Sequence, residues 1–326
     1  MKKVLAMVWG LAAIAALFIA GCAKDNGGPV TDTPPPGVTN ETQAMQSAAA
    51  SDPFVQNEEV TMADQSMETM DYGTFGKIDA AVTPLRWGRF VTGVTTTVTT
   101  TVQTGDTIAF AHVEKLITGM LKVRALTGAG DTVTLSKPFT DKAVRNVIFK
   151  RVGNAPERFW KNWLPVATSL VDGGTNPPPA GNEIDITKLE LFLPNGDTIT
   201  VTDPSNYYLR YHWLRLFAGG RKDLPELVAG AQVRTRVTLV SASPDTDVVV
   251  LRYGFDLLHR RRAHMNMVSE VKNADNTYTR EYEQIWFVHF HPGFFHAGVD
   301  AVTRGTLYDD AAPYSVSWWG VPYRVF

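Results

Sequence analysis

The amino-acid sequence predicts a mainly β protein, in which one or two antiparallel β-sandwich units follow a disordered tether. From Tyr72 onward, β-branched and aromatic residues alternate with polar ones between turns rich in Gly, Asn and Asp. A period of two indicates half-buried strands. Few segments favour a helix. About 255 residues follow Tyr72, enough for one large β domain or two smaller ones, and an immunoglobulin-like arrangement would rest on this pattern alone.

The first residues have the form of a secretory signal peptide. Lys2 and Lys3 precede an uncharged apolar run over residues 4–20, which ends at Ile19-Ala20-Gly21-Cys22. These last four residues resemble the lipobox of bacterial lipoproteins. The resemblance implies cleavage before Cys22 and diacylglycerol on its sulfur. The alternative is a transmembrane anchor, but about 17 apolar residues are at the short end of what spans a bilayer.

The same resemblance implies a cellular location. Ala23, rather than aspartate, follows the cysteine, which favours the outer membrane in enteric bacteria. We therefore expect a membrane partner through the N-terminal lipid, while periplasmic and cell-surface orientations both stay open. Cys22 is the only cysteine, so no intramolecular disulfide can form and stability must come from the core.

The charge balance argues against nucleic acid as a partner. The chain has 31 Lys and Arg against 33 Asp and Glu. Loss of residues 1–21 removes Lys2 and Lys3, which leaves 29 against 33 and a net charge of −4. General nucleic-acid binding needs a concentrated basic face to displace counterions from phosphates.

Composition divides the chain into four parts. Residues 1–21 are the signal peptide, and residues 22–71, rich in Gly, Pro, Thr and Ser, predict a lipid-anchored flexible linker because they cannot bury enough apolar surface. A short helix is predicted over residues 41–50, although an isolated helix of that length is marginal in water. Two β domains follow, 72–165 and 166–326, with the proline-rich 176–179 as one candidate joint.

Hairpin patterns define the strands. Alternating apolar residues predict strands on both sides of turns at 128–131 and 194–197, and the Asn195-Gly196 pair is the strongest turn signal. Further strands are predicted around turns at 244–247 and 273–276, so that the strands form an antiparallel meander. The threonine-rich segment 92–102 predicts a half-exposed or edge strand, and residues 207–216 predict a helix as readily as a strand.

The best candidate for metal chemistry is a histidine cluster. His289 and His291 would share one face of a strand, and His296 returns after a Pro-Gly turn as a third ligand. Three imidazoles with an open fourth position suit zinc. The alternative is that these histidines belong to an aromatic core that includes Phe290 and Phe295.

Two further clusters are candidates for ligand binding. Arg260, Arg261 and Arg262 would receive an anionic partner, although such a run more often lies in a solvated loop. Trp318 and Trp319 would stack on sugar rings. Because adjacent residues of a strand face opposite ways, at most one of these tryptophans is expected to point outward.

Motifs of catalysis are otherwise missing from the sequence: it has no Gly-x-Ser-x-Gly elbow, no phosphate-binding glycine loop and no His-Glu-x-x-His. This favours a tethered binding or structural module that contacts a glycan or an envelope protein. The alternatives are a metal-binding protein or metal-dependent hydrolase using the histidine cluster, and a component of a larger envelope assembly. Paired carboxylates for glycoside cleavage stay open, because their separation depends on the fold.

Overall fold

The computed structural model describes residues 33–52, 68–69, 82–210, 222–254 and 261–326. The predicted signal peptide, Cys22 and Arg260 lie outside these residues. Residues Val38–Phe326 form one compact unit. No helix among the described residues is long and apolar enough to cross a membrane.

The protein is mainly β, as the sequence predicts, with antiparallel pairing between nearly all neighbouring strands. The described strands are β1 Glu68–Thr69, β2 Val82–Val102, β3 Ile108–Thr127, β4 Thr132–Arg151, β5 Trp163–Ser169, β6 Val171–Thr175, β7 Ile184–Phe192, β8 Thr198–Val201, β9 Tyr208–Arg210, β10 Lys222–Asp223, β11 Glu226–Leu227, β12 Gln232–Ser241, β13 Val248–Gly254, β14 Arg261–His264, β15 Asn266–Lys272, β16 Tyr278–Phe287, β17 Gly293–Val302 and β18 Val316–Val325. The helices are α1 Glu41–Ala50 and α2 Arg304–Tyr308, with 3₁₀ turns at Pro156–Lys161 and Pro204–Asn206.

The strands form two sheets that pack together as a sandwich. The main path of the larger sheet runs β1-β2-β3-β4-β6-β18-β17-β13-β14, and the smaller runs β15-β16-β12-β7-β8. Apolar side chains from both sheets fill the core between them, for example Val237 and Leu239 of β12 with Leu251 of β13 and Val299 of β17. Burial of these inward residues explains the period of two in the sequence.

Three of the predicted turns join paired strands, and one does not. β3 pairs with β4, β7 with β8, and β15 with β16. The expected meander is wrong at residues 244–247, because β12 belongs to the smaller sheet and β13 to the larger. Both strands direct apolar side chains into the one core, from opposite sheets, so the turn at 244–247 connects the two sheets instead of closing a hairpin.

The helix predicted at residues 41–50 is present, and it packs against the larger sheet. Asn40 caps it by accepting the Gln43 N–H, while Met45 and Ala49 are buried against β3, β4 and β5. Packing therefore supplies the stabilisation that an isolated helix lacks, and this part of the predicted linker belongs to the compact unit. The boundary predicted between residues 165 and 166 falls inside β5.

The pattern of residues 207–216 left helix and strand open, and the first part of this segment is a strand. Tyr208–Arg210 form β9, which pairs with β5 and β10, and residues 211–216 lie outside the described residues. The sequence pattern fitted strand and helix equally, and the free backbone groups of β5 decide for strand. The threonine-rich half of β2 pairs with β3 and is largely exposed, in keeping with its predicted character.

The larger sheet curls, so that strands far apart in its order meet through a buried ion cluster. Asp300 of β17 accepts two hydrogen bonds from the guanidinium of Arg89 on β2, at 2.8 and 2.9 Å. Arg252 of β13 donates to the same carboxylate at 2.8 Å. Burial alone would raise the pKa of Asp300, but the charges of Arg89 and Arg252 hold it below its ordinary value.

Asp300→Asn is therefore expected to destabilise the protein strongly, because two buried arginines would lose their counter-charge. Breaking a buried ion pair in this way costs about 3–5 kcal/mol. Urea unfolding measures the change in the free energy of unfolding. Asp197→Asn, at an exposed turn between β7 and β8, is the control and is expected to change little. Equal stability of both variants would contradict a structural role for the cluster.

Candidate functional site

Two adjoining clefts follow β4 on the surface of the sandwich. The first has a volume of about 490 Å³, and the second a volume of about 550 Å³. Both are lined by Thr175 and Asn176, which stand at their shared border. We call the two clefts together the polar groove. The volume of each cleft is typical of a site that binds a small ligand.

Three carboxylates line the first cleft of the polar groove. Asp172 lies on β6 of the larger sheet, while Glu183 precedes β7 and Asp185 lies on it in the smaller sheet. Ser317 of β18 fastens the sheets beside them, because its hydroxyl accepts the Ile186 N–H at 3.1 Å. The cleft is therefore formed where the sheets separate at the start of β7 and β18.

Two of these carboxyls have a raised pKa. Burial raises the pKa of Asp172, and the nearby charge of Asp185 raises it further, against a hydrogen bond from Trp319. Burial also raises the pKa of Asp185. A carboxyl whose pKa is raised stays protonated to a higher pH than an ordinary carboxyl, and in that form it can donate as well as accept hydrogen bonds.

Trp319 fixes the position of Asp172. Its indole N–H donates to Asp172 Oδ1 at 3.0 Å, and its ring is buried in the core between the sheets. Trp318 points to the other face of β18, where its ring lies against Gly173 so closely that a Cβ there would come within 2.2 Å of a ring atom. Both tryptophans are buried. The expectation that one would be exposed for sugar stacking is wrong, because this sheet is covered on both faces.

Cationic and neutral polar groups complete the first cleft. Lys142 of β4 has an exposed side chain, and its Nζ lies 3.6 Å from Oε2 of Glu114. The other polar residues that line the cleft are Ser315, Ser317, Thr175 and Asn176. The lining therefore offers three carboxyls, one ammonium group and one amide, since Ser315 and Ser317 are buried and the Thr175 hydroxyl accepts the Val316 N–H. Such a set matches a ligand that is rich in hydroxyl groups.

The second cleft adjoins a buried carboxyl. Tyr314 lines the cleft, and its hydroxyl donates to Asp141 Oδ2 at 2.9 Å. Burial raises the pKa of Asp141 to about 7, with the charge of Asp300 adding to it and the charge of Arg89 opposing it. Lys137 also lines this cleft, but its ammonium donates to the backbone carbonyls of Gly305, Asp309 and Ala312. The role of Lys137 is therefore to hold the segment between α2 and β18.

The predicted histidine cluster does not converge. The ring of His289 stacks on Phe295 with centroids 4.7 Å apart. His296 follows Phe295 on β17 and faces the opposite side of the strand, while His291 is exposed. Across the parts of the chain that the structure describes, no group of three or more His, Cys, Asp or Glu could hold a metal ion.

The predicted arginine cluster is part of a strand rather than a loop. Arg261 and Arg262 belong to β14, and Arg262 is the cross-strand partner of Arg252. Burial lowers the pKa of Arg262, against the charge of Asp300. Arg262 is therefore half-buried beside the ion cluster, which differs from the solvated loop that the sequence favoured.

Sequence reasoning did not identify Asp172, Asp185 or Lys142. They lie on three strands of two sheets and are far apart in the chain, so no spacing motif marks them. No protein-family model, no curated protein and no solved structure matches this chain. The polar groove is therefore interpreted from its own chemistry.

Asp141 predicts a pH dependence of stability. Its pKa rises from 3.8 to about 7 on folding, so between these values the folded protein holds a proton that the unfolded chain has released. This contribution to stability therefore falls as the pH rises towards 7 and is lost above it.

Thermal unfolding at about pH 6 and about pH 8 tests this sign. The native protein is expected to melt at a lower temperature at the higher pH. The drop should be smaller in Asp141→Asn, whose amide still accepts the Tyr314 hydroxyl and does not titrate. An equal drop in both proteins would contradict the assignment, and the Asp197→Asn variant controls for a general change in net charge.

Proposed function

We propose that this protein is a cell-envelope lipoprotein, held to the outer membrane through lipid on Cys22, whose β body binds a glycan in the polar groove. The lipobox Ile19-Ala20-Gly21-Cys22 supports the anchor. The observation that carries the ligand class is the lining of the two clefts, which contains carboxyl, hydroxyl, amide and ammonium groups. Hydrogen-bond donors and acceptors together suit the hydroxyl groups of a glycan.

The position of the groove in the sandwich favours binding. Asp172 is held by Trp319 and is on a strand rather than on a loop. Ser317 ties the two walls together. A site on fixed strands is pre-organised, and pre-organisation lowers the entropy that a bound ligand must offset.

The raised pKa values favour a second candidate, which is hydrolysis of a glycosidic bond in the first cleft. One carboxyl with a raised pKa would protonate the leaving oxygen, and an ionised partner would activate water or attack the sugar. Asp172 and Asp185 are the two groups suited to these roles. Binding without turnover and binding with cleavage make different predictions for the same variants.

Asp172→Asn and Asp185→Asn are expected to weaken glycan binding by about tenfold each, because a hydrogen bond to a charged group contributes about 1.5 kcal/mol. Calorimetric titration with soluble peptidoglycan fragments and with released outer-membrane polysaccharide measures the affinity. Asp197→Asn, far from the groove along the strands, is the matched control. Unchanged affinity in both groove variants would overturn the assignment of the site.

The same samples distinguish the second candidate. Chromatography of the glycans after long incubation would reveal shorter fragments if the groove cleaves its ligand. Cleavage by the native protein that stops in either variant would establish hydrolysis. Intact glycans with native affinity would leave binding as the function.

Cys22→Ala is expected to abolish membrane retention, because no sulfur remains to carry lipid. Cell fractionation measures the shift from the membrane to the soluble fraction, and intact mass measures acylation of the native chain. Ala23→Ser, one residue beyond, is the control and should remain in the membrane. A mature chain that begins anywhere other than Cys22 would contradict the anchor.

A further inference from the structure

Three chain segments meet at the end of the sandwich where β18 finishes. The Ala229 N–H donates to the Phe326 carbonyl, and the Gly230 N–H donates to the His289 carbonyl. The segment that joins β11 to β12 is thereby fastened to both the end of β18 and the segment after β16. Backbone hydrogen bonds of this kind fix the relative positions of all three segments.

Each of these segments presents a large apolar side chain to solvent. We call this set the apolar tip, and its members, with their exposed fractions, are Val228 at 52%, Phe287 at 52%, Phe290 at 68% and Phe326 at 57%. Backbone hydrogen bonds join the segments that carry these side chains, so the exposed apolar residues are held at one end of the sandwich, where they can form an interaction surface.

The ring of Phe290 is supported from below. Gly230 has a φ of +72°, and a Cβ at this glycine would come within 2.7 Å of Phe290 Cε1. The ring therefore rests against the glycine backbone while most of its surface stays exposed. Acidic groups nearby in the chain are already paired, since Glu226 contacts Arg324 and Glu283 contacts Arg236.

The N-terminal chain enters the compact unit at the same end of the larger sheet. β4 and β18 both run antiparallel to β6, so they end on the same side. Helix α1 packs against the end of β4 and the start of β3. The apolar tip and the first helix after Val38 therefore lie towards one end, and the polar groove lies at the start of β18, about 30 Å away along a ten-residue strand.

The length of chain before Val38 limits how far this end can move from the anchor. Residues 23–37 separate Cys22 from the compact unit, and even fully extended they reach at most roughly 55 Å. That is less than the length of β3, whose 20 residues span about 65 Å. Under the proposed anchor, Val38 can therefore be no farther than this from the lipid, and it belongs to the end that carries the apolar tip.

We propose that the apolar tip inserts into the lipid surface to which the chain is anchored, so that the polar groove is directed away from the membrane. This inference rests on the lipid anchor of the proposed function. Phe290, Phe287 and Val228 would enter the boundary between headgroups and acyl chains, where apolar side chains leave water without crossing the bilayer. Anchoring by lipid and by the tip together would hold the body in one orientation.

A fluorescent probe at position 290 tests the insertion in the full-length lipidated chain. Cys22 is the only native cysteine and its sulfur would be acylated, so Phe290→Cys supplies a single free thiol for an environment-sensitive fluorophore. The variant is reconstituted on vesicles of phosphatidylethanolamine and phosphatidylglycerol. Its emission is expected to shift to shorter wavelength and to be quenched by brominated acyl chains.

Val228→Cys, from a different segment of the tip, should give the same result. Ala129→Cys, in the exposed turn between β3 and β4 at the opposite end, is the control and should emit as it does in water. A chain that floats with the vesicles while positions 290 and 228 emit as in water would overturn the insertion and leave the anchor intact. A chain that fails to float would overturn the anchor, and the insertion with it.

The alternative partner for the apolar tip is a second copy of the chain. In that case the emission of the probe at position 290 would shift with rising protein concentration in detergent solution without vesicles. That result would overturn insertion and assign the apolar tip to self-association. Protein that stays dispersed and unshifted in detergent, and shifts on vesicles, supports insertion into lipid.

Discussion

The carboxylate of Asp300 is the constraint on which the curled sheet depends. It is buried, and it neutralises Arg89 from β2 and Arg252 from β13. These strands are far apart in the sheet, so the pairing of their charges holds its two sides together across the interior. The cluster also sets the charge around Asp141, whose pKa lies near neutrality. Tyr314, which lines the second cleft and donates to Asp141, connects this cleft to the ion cluster.

Both tryptophans near the end of the chain are buried because the larger sheet is covered on both faces. Trp319 belongs to the core shared with the smaller sheet, and Trp318 belongs to the core inside the curl. With both rings buried, neither is available to stack on a sugar. Trp319 nevertheless contributes to the groove, because its indole N–H positions Asp172. The groove therefore owes its geometry to the core directly behind it.

The two ends of the sandwich have opposite chemistry. Apolar side chains are exposed where β18 ends, and carboxyls, hydroxyls and an ammonium group converge where it begins. The strand β18, which is central in its sheet, runs from one of these ends to the other. Under the lipid anchor and the tip insertion that we propose, the polar groove would face away from the membrane.

The sequence by itself determined the β class, the helix over residues 41–50 and the hairpins around 128–131, 194–197 and 273–276. Those features depend on side-chain period and turn chemistry, which are local properties of the chain. Only the tertiary structure decided that β12 and β13 lie in different sheets, that His289 and His296 face apart, and that Asp172 meets Asp185. Each of these outcomes depends on which strands become neighbours, and pairing between distant segments is set by the collective burial of the core rather than by any one segment.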